Sequence, residues 1–185
     1  MKIIVAITGA TGTVYGVRLL SALKAAKAET HLIISRPAEK VMAIETEYSL
    51  DGVRELASRW YEPDDIAAPL ASGGTRWHAM VVAPCSMRTL SAVATCRADT
   101  LIARAADITL KERRRLILLP RETPLHLGHL RHMVAATEMG AIVMPPLPTF
   151  YDKPKSIDDL IDNTVGRVLD LLEVHHDLTR PWQPS

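Results

Sequence analysis

Five short runs of apolar residues divide the chain at intervals that predict a parallel β-sheet. Each run is too short for a surface helix and is typical of a strand that is buried on both faces. The predicted strands cover residues 3–7, 31–34, 79–83, 116–119 and 141–144. Between them, apolar residues recur at spacings of three and four, which predicts amphipathic helices. This alternation predicts an α/β, Rossmann-like three-layer fold, a parallel sheet flanked by helices, as one domain over residues 1–185.

The predicted helices alternate with these strands, and several carry sequence signals for their ends. They cover residues 38–45, 53–60, 92–106 and 125–138, with further helical segments after residues 13, 86, 108 and 157. Ser86 and Thr123 are expected to cap the helices that follow them. Ser156 and Asp159 have the spacing of a capping box. The tail over residues 175–185 is expected to be frayed or to dock on a neighbouring subunit.

The first strand runs directly into a glycine-rich turn that contains Gly9, Gly12 and Gly16. Such a turn leaves backbone N–H groups free at a helix N-terminus, where the partial positive charge favours an anion. Two interpretations stand: a phosphate cradle for a nucleotide or flavin, or a tight turn without a ligand. The dinucleotide spacing is absent, and Ser35 stands at the end of the second strand instead of an acidic residue. This disfavours NAD and favours a mononucleotide.

Two later strand ends also carry polar groups. Ser86 follows the third predicted strand at the start of a helix, so a second set of hydroxyl and N–H groups is expected beside the glycine turn. Arg121 and Glu122 follow the fourth predicted strand. They are interpreted as a phosphate-binding arginine and a proton-handling carboxylate, with a buried structural ion pair as the alternative. A nucleophilic role for Cys85 is the weaker hypothesis, because no histidine lies near it in the sequence.

Composition narrows the class of protein. The 185 residues include 48% hydrophobic and 4% aromatic residues, two cysteines and a formal net charge of +1. This balance predicts an aliphatic core and gives no sign of a nucleic-acid partner. The two cysteines fit a reducing cytoplasm, and no apolar stretch approaches the roughly 20 residues that span a membrane. His126, His129 and His132 recur at spacings that fan out around a helix, so we expect no metal site.

Several longer motifs resemble the flavin prenyltransferase family of the UbiX type, within the homo-oligomeric flavin-containing Cys decarboxylase-like flavoproteins. The similar stretches run in order through nearly the whole chain. They are TGATGTVYGVRLL, THLIIS, APCSMRTLSAVA, RAADITLKERR, LILLPRETPLHLGHL and GAIVMPPLPTFYDKP. The segment RAADITLKERR followed by PRETP is the most specific of these.

The resemblance implies an activity and partners. The family joins a dimethylallyl group from dimethylallyl phosphate to reduced FMN, at N5 and then at C6, without a metal. A separate UbiD-type decarboxylase then uses the prenylated FMN. By this resemblance we expect a cytoplasmic homo-oligomer, in the family a dodecamer, whose active site is assembled from more than one subunit.

The resemblance also implies site residues. The residues expected to bind FMN are Gly9, Ala10, Thr11, Ser35, Ser86, Met87, Arg88, Thr89 and Arg121. Those expected to bind dimethylallyl phosphate are Lys111, Arg121, Tyr151 and Arg167, with Arg104 close by. Those expected to act in catalysis are Thr11, Glu45, Lys111 and Glu122.

The chain departs from the family pattern at a few positions, and two other functions stay open. Thr11 stands where the family usually has serine, Gly74 replaces a common serine, and Ile66 replaces an aromatic residue of some members. The main alternative is an FMN-binding accessory subunit of an aromatic-acid decarboxylase without prenyl transfer. A less favoured one is a flavin-dependent decarboxylase of a cysteine-derived peptide bond. A second phosphate site, indicated by Lys111 and Arg167, favours the transferase.

Overall fold

The computed structural model describes residues 1–179, which form a parallel sheet covered by helices on both faces. Its six strands are β1 (Lys2–Ile7), β2 (Glu29–Ile34), β3 (Arg59–Tyr61), β4 (Ala79–Cys85), β5 (Arg115–Pro120) and β6 (Ile142–Val143). Their order across the sheet is β3-β2-β1-β4-β5-β6, and every neighbouring pair is parallel. The predicted α/β fold is confirmed.

Seven α-helices are present within residues 1–179. They are α1 (Thr13–Ala25), α2 (Arg36–Glu45), α3 (Leu50–Arg54), α4 (Met87–Ala94), α5 (Leu101–Lys111), α6 (Leu127–Glu138) and α7 (Ile157–Leu171). In this part of the chain no helix is long and apolar enough to cross a membrane.

Two hydrophobic cores lie on opposite faces of the sheet, because successive side chains of a strand point to opposite faces. Ile3, Val5 and Ile7 of β1 pack on one face with residues of α1 and α7. Ile4 and Ala6 pack on the other face with residues of α4 and α5. The apolar runs therefore form strands that are covered on both sides, as expected of a parallel sheet.

Three local predictions are wrong. The helix predicted over residues 53–60 ends at Arg54, and the aromatic residues after it form β3 on the sheet edge, where they pair with β2. The helix predicted over residues 92–106 is two helices, because Thr100 caps α5 and Cys96 has a φ of 53°. Thr123 caps no helix: α6 begins at Leu127, and the ring of His126 accepts the capping hydrogen bond.

The sheet order reverses between β1 and β4, and this reversal positions the functional residues. The chain leaves β1 for α1 on one face, whereas it leaves β4 for α4 and α5 on the other face. The two turns diverge and open a crevice at the carboxyl ends of the strands, where open α/β sheets bind their ligands.

The C-terminal segment folds back on α7 as far as it is described. The imidazole of His176 lies 3.1 Å from the carboxylate of Asp170, and Val174 and Leu178 pack against the core. Residues 180–185 lie outside the described residues, so the docking of the tail on another subunit stays a prediction.

Candidate active site

The glycine turn after β1 brings backbone close to backbone at the edge of the crevice. A Cβ on Gly9 would collide with Pro37 at the start of α2, and a Cβ on Gly16 would collide with the carbonyl oxygen of Ala83. Gly12 has a φ of 93°, in the left-handed region that favours glycine. Glycine is therefore required here by close packing and by backbone conformation.

Glu45, at the end of α2, holds this turn in place. Its Oε2 accepts a hydrogen bond of 2.9 Å from the backbone N–H of Gly12 and contacts the N–H and hydroxyl of Thr13 at 3.4 Å. A carboxylate at a helix N-terminus interacts favourably with the partial positive charge of that end. Glu45 therefore anchors the start of α1, and it is not among the residues that line the cleft described next.

Two serine-capped helices point their N-termini into the crevice. The hydroxyl of Ser35 accepts a hydrogen bond of 3.3 Å from the N–H of Ala38 in α2. The hydroxyl of Ser86 accepts one of 3.3 Å from the N–H of Thr89 in α4 and lies 3.1 Å from the hydroxyl of that residue. Helix N-termini with nearby hydroxyls are a favourable place for phosphate oxygens. The predicted cap at Ser86 is confirmed.

These turns surround a cleft of about 590 Å³. All nine residues expected to bind FMN line it, together with the expected catalytic residue Glu122. The other lining residues are Arg36, Pro37, Pro63, Asp64, Ala92, Arg97, Asp99, Thr100, Ile102 and Ala103. A volume of this size is typical of sites for cofactor-sized ligands.

Arg88, Arg121 and Glu122 are three of the charged residues that line the cleft. All three are exposed, and among residues 1–179 neither arginine forms an ion pair with a carboxylate. The backbone N–H of Arg121 donates to the carbonyl of Cys85 at 3.1 Å, and Glu122 Oε1 accepts from the N–H of Thr123 at 3.0 Å. The alternative of a buried Arg121–Glu122 ion pair is therefore wrong.

The cleft fits FMN in its chemistry. Its floor carries hydroxyls and N–H groups at the ends of α2 and α4, which suit a phosphate, and its arginines can pair with phosphate oxygens. Ala92, Ile102 and Ala103 give one wall apolar surface, which suits a flat aromatic ring system. The structure thus brings together every residue that the sequence motifs assigned to the flavin.

The residues expected to bind dimethylallyl phosphate are not brought together within one chain. Lys111 ends α5, and its Nζ lies 3.0 Å from Glu112 Oε1. It is eight residues beyond Ala103 of the cleft wall, which along an α-helix is about 12 Å. Arg104 follows Ala103 directly, and its guanidinium lies 3.0 Å from the carboxylate of Asp107.

Tyr151 and Arg167 line a separate surface depression of about 730 Å³ beside α7. Arg167 is 3.4 Å from the carboxylate of Asp170, and both side chains are largely exposed. This depression and the cleft have no described lining residue in common. Within one chain, therefore, only Arg121 of the expected donor-binding set lies in the cleft.

Cys85, the three histidines and Ile66 do not line the cleft. Burial raises the pKa of the Cys85 thiol to about 12, so the group stays protonated and unreactive. The rings of His126 and His129 stack at 3.6 Å, and residues 1–179 contain no group of three or more metal-ligating side chains. Ile66 is exposed and does not line the cleft.

Sequence reasoning missed several residues of the cleft. Thr100 and Asp99 lie at the start of α5, which was hidden because one long helix was predicted across this region. A threonine after the acidic residue is a usual helix start, and this signal could have separated the two helices. Thr8, which follows β1 directly and precedes the glycine turn, was also missed, although it supports the cleft without lining it.

Comparison with known proteins adds to this geometry. A family model described as Flavoprotein matches residues 1–169. The chain is 50% identical over 182 residues to flavin prenyltransferase UbiX of Methanocaldococcus jannaschii, covering 98% of each chain.

Solved structures give the same result. The crystal structure of AnUbiX in complex with FMN and dimethylallyl pyrophosphate matches with a TM-score of 0.98 and 47% identity, over 100% of this chain and 98% of that one. A dodecameric FMN-dependent UbiX-like decarboxylase from Escherichia coli O157:H7 matches with a TM-score of 0.97 and 45% identity over 100% of both chains. The chain belongs to the flavoprotein family and, within it, to the flavin prenyltransferases of the UbiX type.

Proposed function

We propose that this protein transfers a dimethylallyl group from dimethylallyl phosphate to N5 and C6 of reduced FMN. The observation that carries the proposal is the cleft at the β1/β4 reversal, where one chain gathers all nine residues expected to bind FMN. The AnUbiX structure contains FMN and a dimethylallyl donor and covers the whole of this chain, which supports the same ligands here.

Within the cleft, the chain's own groups have separate tasks. The N-termini of α2 and α4, with Ser35, Ser86 and Thr89, bind the FMN phosphate. Reduced FMN supplies the nucleophilic atoms to which the prenyl group is joined. Arg121 pairs with phosphate oxygens and stabilises negative charge as the donor's phosphate leaves. The Glu122 carboxylate, exposed at the rim, is placed to take a proton from the flavin during the transfer.

Glu45 and Thr11 act at the glycine turn. Thr11 lines the cleft one residue before Gly12, which donates its N–H to Glu45. A carboxylate that holds the turn fixes the position of the Thr11 hydroxyl relative to the flavin. We assign Thr11 a hydrogen-bonding role at the flavin, and we assign Glu45 the support of that position.

The donor phosphate site is completed by a second copy of the chain. Lys111, Tyr151 and Arg167 lie outside the cleft of their own chain, and a prenyl phosphate needs its cations beside the flavin. A neighbouring subunit that presents Tyr151 and Arg167 to the cleft would bring these groups beside the flavin. The dodecameric relative supports such an assembly.

The product, prenylated FMN, passes to a UbiD-type decarboxylase. The two free cysteines support a cytoplasmic location of the protein.

A second candidate function is an FMN-binding accessory subunit of an aromatic-acid decarboxylase. The cleft favours it, because all nine residues expected to bind FMN line the cleft while Lys111 and Arg167 do not. Such a subunit would use the cleft alone and would need neither Lys111 nor Arg167.

One experiment separates the two. The purified protein is mixed with reduced FMN and dimethylallyl phosphate without oxygen, and the released flavin is identified by mass spectrometry. A flavin heavier by one prenyl unit is expected. FMN that is bound but unchanged would contradict prenyl transfer and favour the accessory subunit. The same mixture without donor is the control for flavin carried over from expression.

A further inference from the structure

The central strand β4 contains a proline near its carboxyl end. Its neighbours are β1 and β5, so Pro84 lies inside the sheet. Proline has no N–H to donate and is rare inside a sheet for this reason. The pairing of β4 with β5 shifts register between Val82 and Cys85, which places the irregularity directly before the Ser86 turn.

Thr8 joins the end of β1 to the end of β4 with both its backbone and its side chain. Its backbone N–H donates to the carbonyl oxygen of Pro84 at 3.2 Å, and its hydroxyl donates to the same oxygen at 2.7 Å. The hydroxyl oxygen accepts the backbone N–H of Ser86 at 2.8 Å. Thr8 is 1% exposed, so water cannot replace these bonds.

The position of Thr8 in the chain gives these bonds a functional meaning. Thr8 directly precedes Gly9, and Ser86 begins the turn that leads into α4. Both turns line the cleft. The Thr8 hydroxyl therefore links the two turns that are expected to hold the flavin, and it fixes the distance between them.

We propose that Thr8 is a positioning residue for flavin binding, which sets the glycine turn and the Ser86 turn at the separation that FMN requires. The inference rests on the proposed function, because it assumes that FMN occupies the cleft. Thr8 does not itself line the cleft, so it acts through Gly9 and Ser86. Loss of the hydroxyl would leave a buried N–H and a buried carbonyl without their side-chain partner and would let the two turns separate.

The chain offers a matched control in Thr30. It is also 1% exposed, and its Oγ1 accepts the backbone N–H of Ser58 at 3.1 Å. This bond lies at the amino end of the sheet, at the start of β2 and far from the cleft-lining turns. Thr30→Val removes a hydroxyl that is as buried as that of Thr8, so the two variants should lower the Tm by similar amounts.

The test measures FMN dissociation constants by flavin fluorescence and the Tm of each flavin-free protein. We expect Thr8→Val to weaken FMN binding about tenfold, because the two buried hydrogen bonds of the Thr8 hydroxyl are lost. Thr8→Ser keeps the hydroxyl and should bind FMN nearly as the wild type does. Thr30→Val should lower the Tm and leave FMN affinity unchanged.

Each outcome has one meaning. If Thr8→Val lowers the Tm but binds FMN like the wild type, Thr8 is merely structural and the inference is overturned. If Thr8→Val does not fold, Thr8→Ala is compared with Thr8→Ser, because these two variants differ only in the hydroxyl. Equal FMN affinities of the two would overturn the inference in the same way. Failure of the wild type to bind FMN would instead overturn the proposed function.

Discussion

The flavin cleft and the expected donor-phosphate residues differ in how one chain supplies them. Nine residues from four separate segments meet in the cleft at the β1/β4 reversal. By contrast, Lys111 lies at the far end of α5, and Tyr151 and Arg167 lie in another depression beside α7. The single chain gathers all of the residues expected to bind FMN in one cleft, whereas it leaves most of the expected donor residues outside that cleft.

This difference follows from the elements that carry each group. The flavin residues lie on turns at the carboxyl ends of β1, β2, β4 and β5, and the sheet fixes all of these ends side by side. Lys111 and Arg167 lie on the outer surfaces of helices, where the sheet imposes no common point. Surface residues that are needed together must be joined by contact with another surface, which is why we propose that a neighbouring subunit completes the donor site.

The largest expected effect comes from Glu122 in the cleft. Glu122→Gln keeps the size and the hydrogen bond to Thr123 but cannot take a proton, so turnover should fall about a hundredfold or more. FMN affinity should stay within experimental error, because the turns that hold the flavin are unchanged. Mass spectrometry of product and flavin fluorescence measure the two quantities.

Glu138→Gln is the matched control for this variant, since Glu138 ends α6 and does not line the cleft. It should leave turnover unchanged. Full turnover of Glu122→Gln would remove the proton-transfer role and leave Glu122 as a residue of the cleft rim.

The divided donor site predicts a smaller and more selective effect. Arg167→Ala and Lys111→Ala should each raise the KM for dimethylallyl phosphate by about tenfold or more, since each removes a charge-assisted bond to phosphate. FMN affinity should not change, because neither residue lines the cleft.

Mixed oligomers sharpen the comparison. Lys111→Ala and Arg167→Ala subunits can be expressed together. In the mixed oligomers, some donor sites then receive Lys111 from one subunit and Arg167 from its neighbour, so part of the affinity for dimethylallyl phosphate should return. Oligomers of each variant alone are the control. No recovery would mean that both residues serve the same cleft from one subunit. A monomeric mass by light scattering would refute a shared site directly.

Much of the fold could be predicted because strands and turns carry local signals. The apolar runs at Ile3–Ile7 and Leu116–Leu119 are continuous, and serine directly follows β2 and β4, which end at the cleft. The cap at Ser86 and the capping box at Ser156 are likewise local, and both are confirmed. Elements whose identity depends on a distant partner were predicted less well.

The edge strand β3 shows why. Trp60 and Tyr61 have no apolar run around them, and they form a strand because β2 offers a free edge to pair with. The start of α6 was misplaced for a related reason, since the ring of His126 and not the hydroxyl of Thr123 accepts the capping bond. A donor site assembled from more than one subunit was expected from the family resemblance. The spacing of Lys111 and Arg167 alone gives no sign of it, because their separation depends on where the fold places their helices.

The smallest expected effect is at the amino end of the sheet, which belongs to neither site. His31 is buried there between Glu29 and Tyr61, with each ring nitrogen 2.9 Å from an oxygen of one of them, and its ring packs edge-on against Trp77. Burial lowers the pKa of His31 below its usual 6.5, and the bond to Glu29 opposes this only in part. The folded protein thus holds this ring neutral where the unfolded chain would already bind a proton.

Stability should therefore be highest above about pH 6.5 and should fall as the pH drops from there toward the lowered pKa of the folded state. His31→Gln removes this titration and should flatten the Tm profile between about pH 7.5 and about pH 5.5. At the upper pH, FMN affinity and donor KM should match the wild type, because the cleft and the α7 depression lie elsewhere. A changed FMN affinity in His31→Gln would show that the amino end of the sheet is coupled to the cleft, and the separation of the regions would then be incomplete.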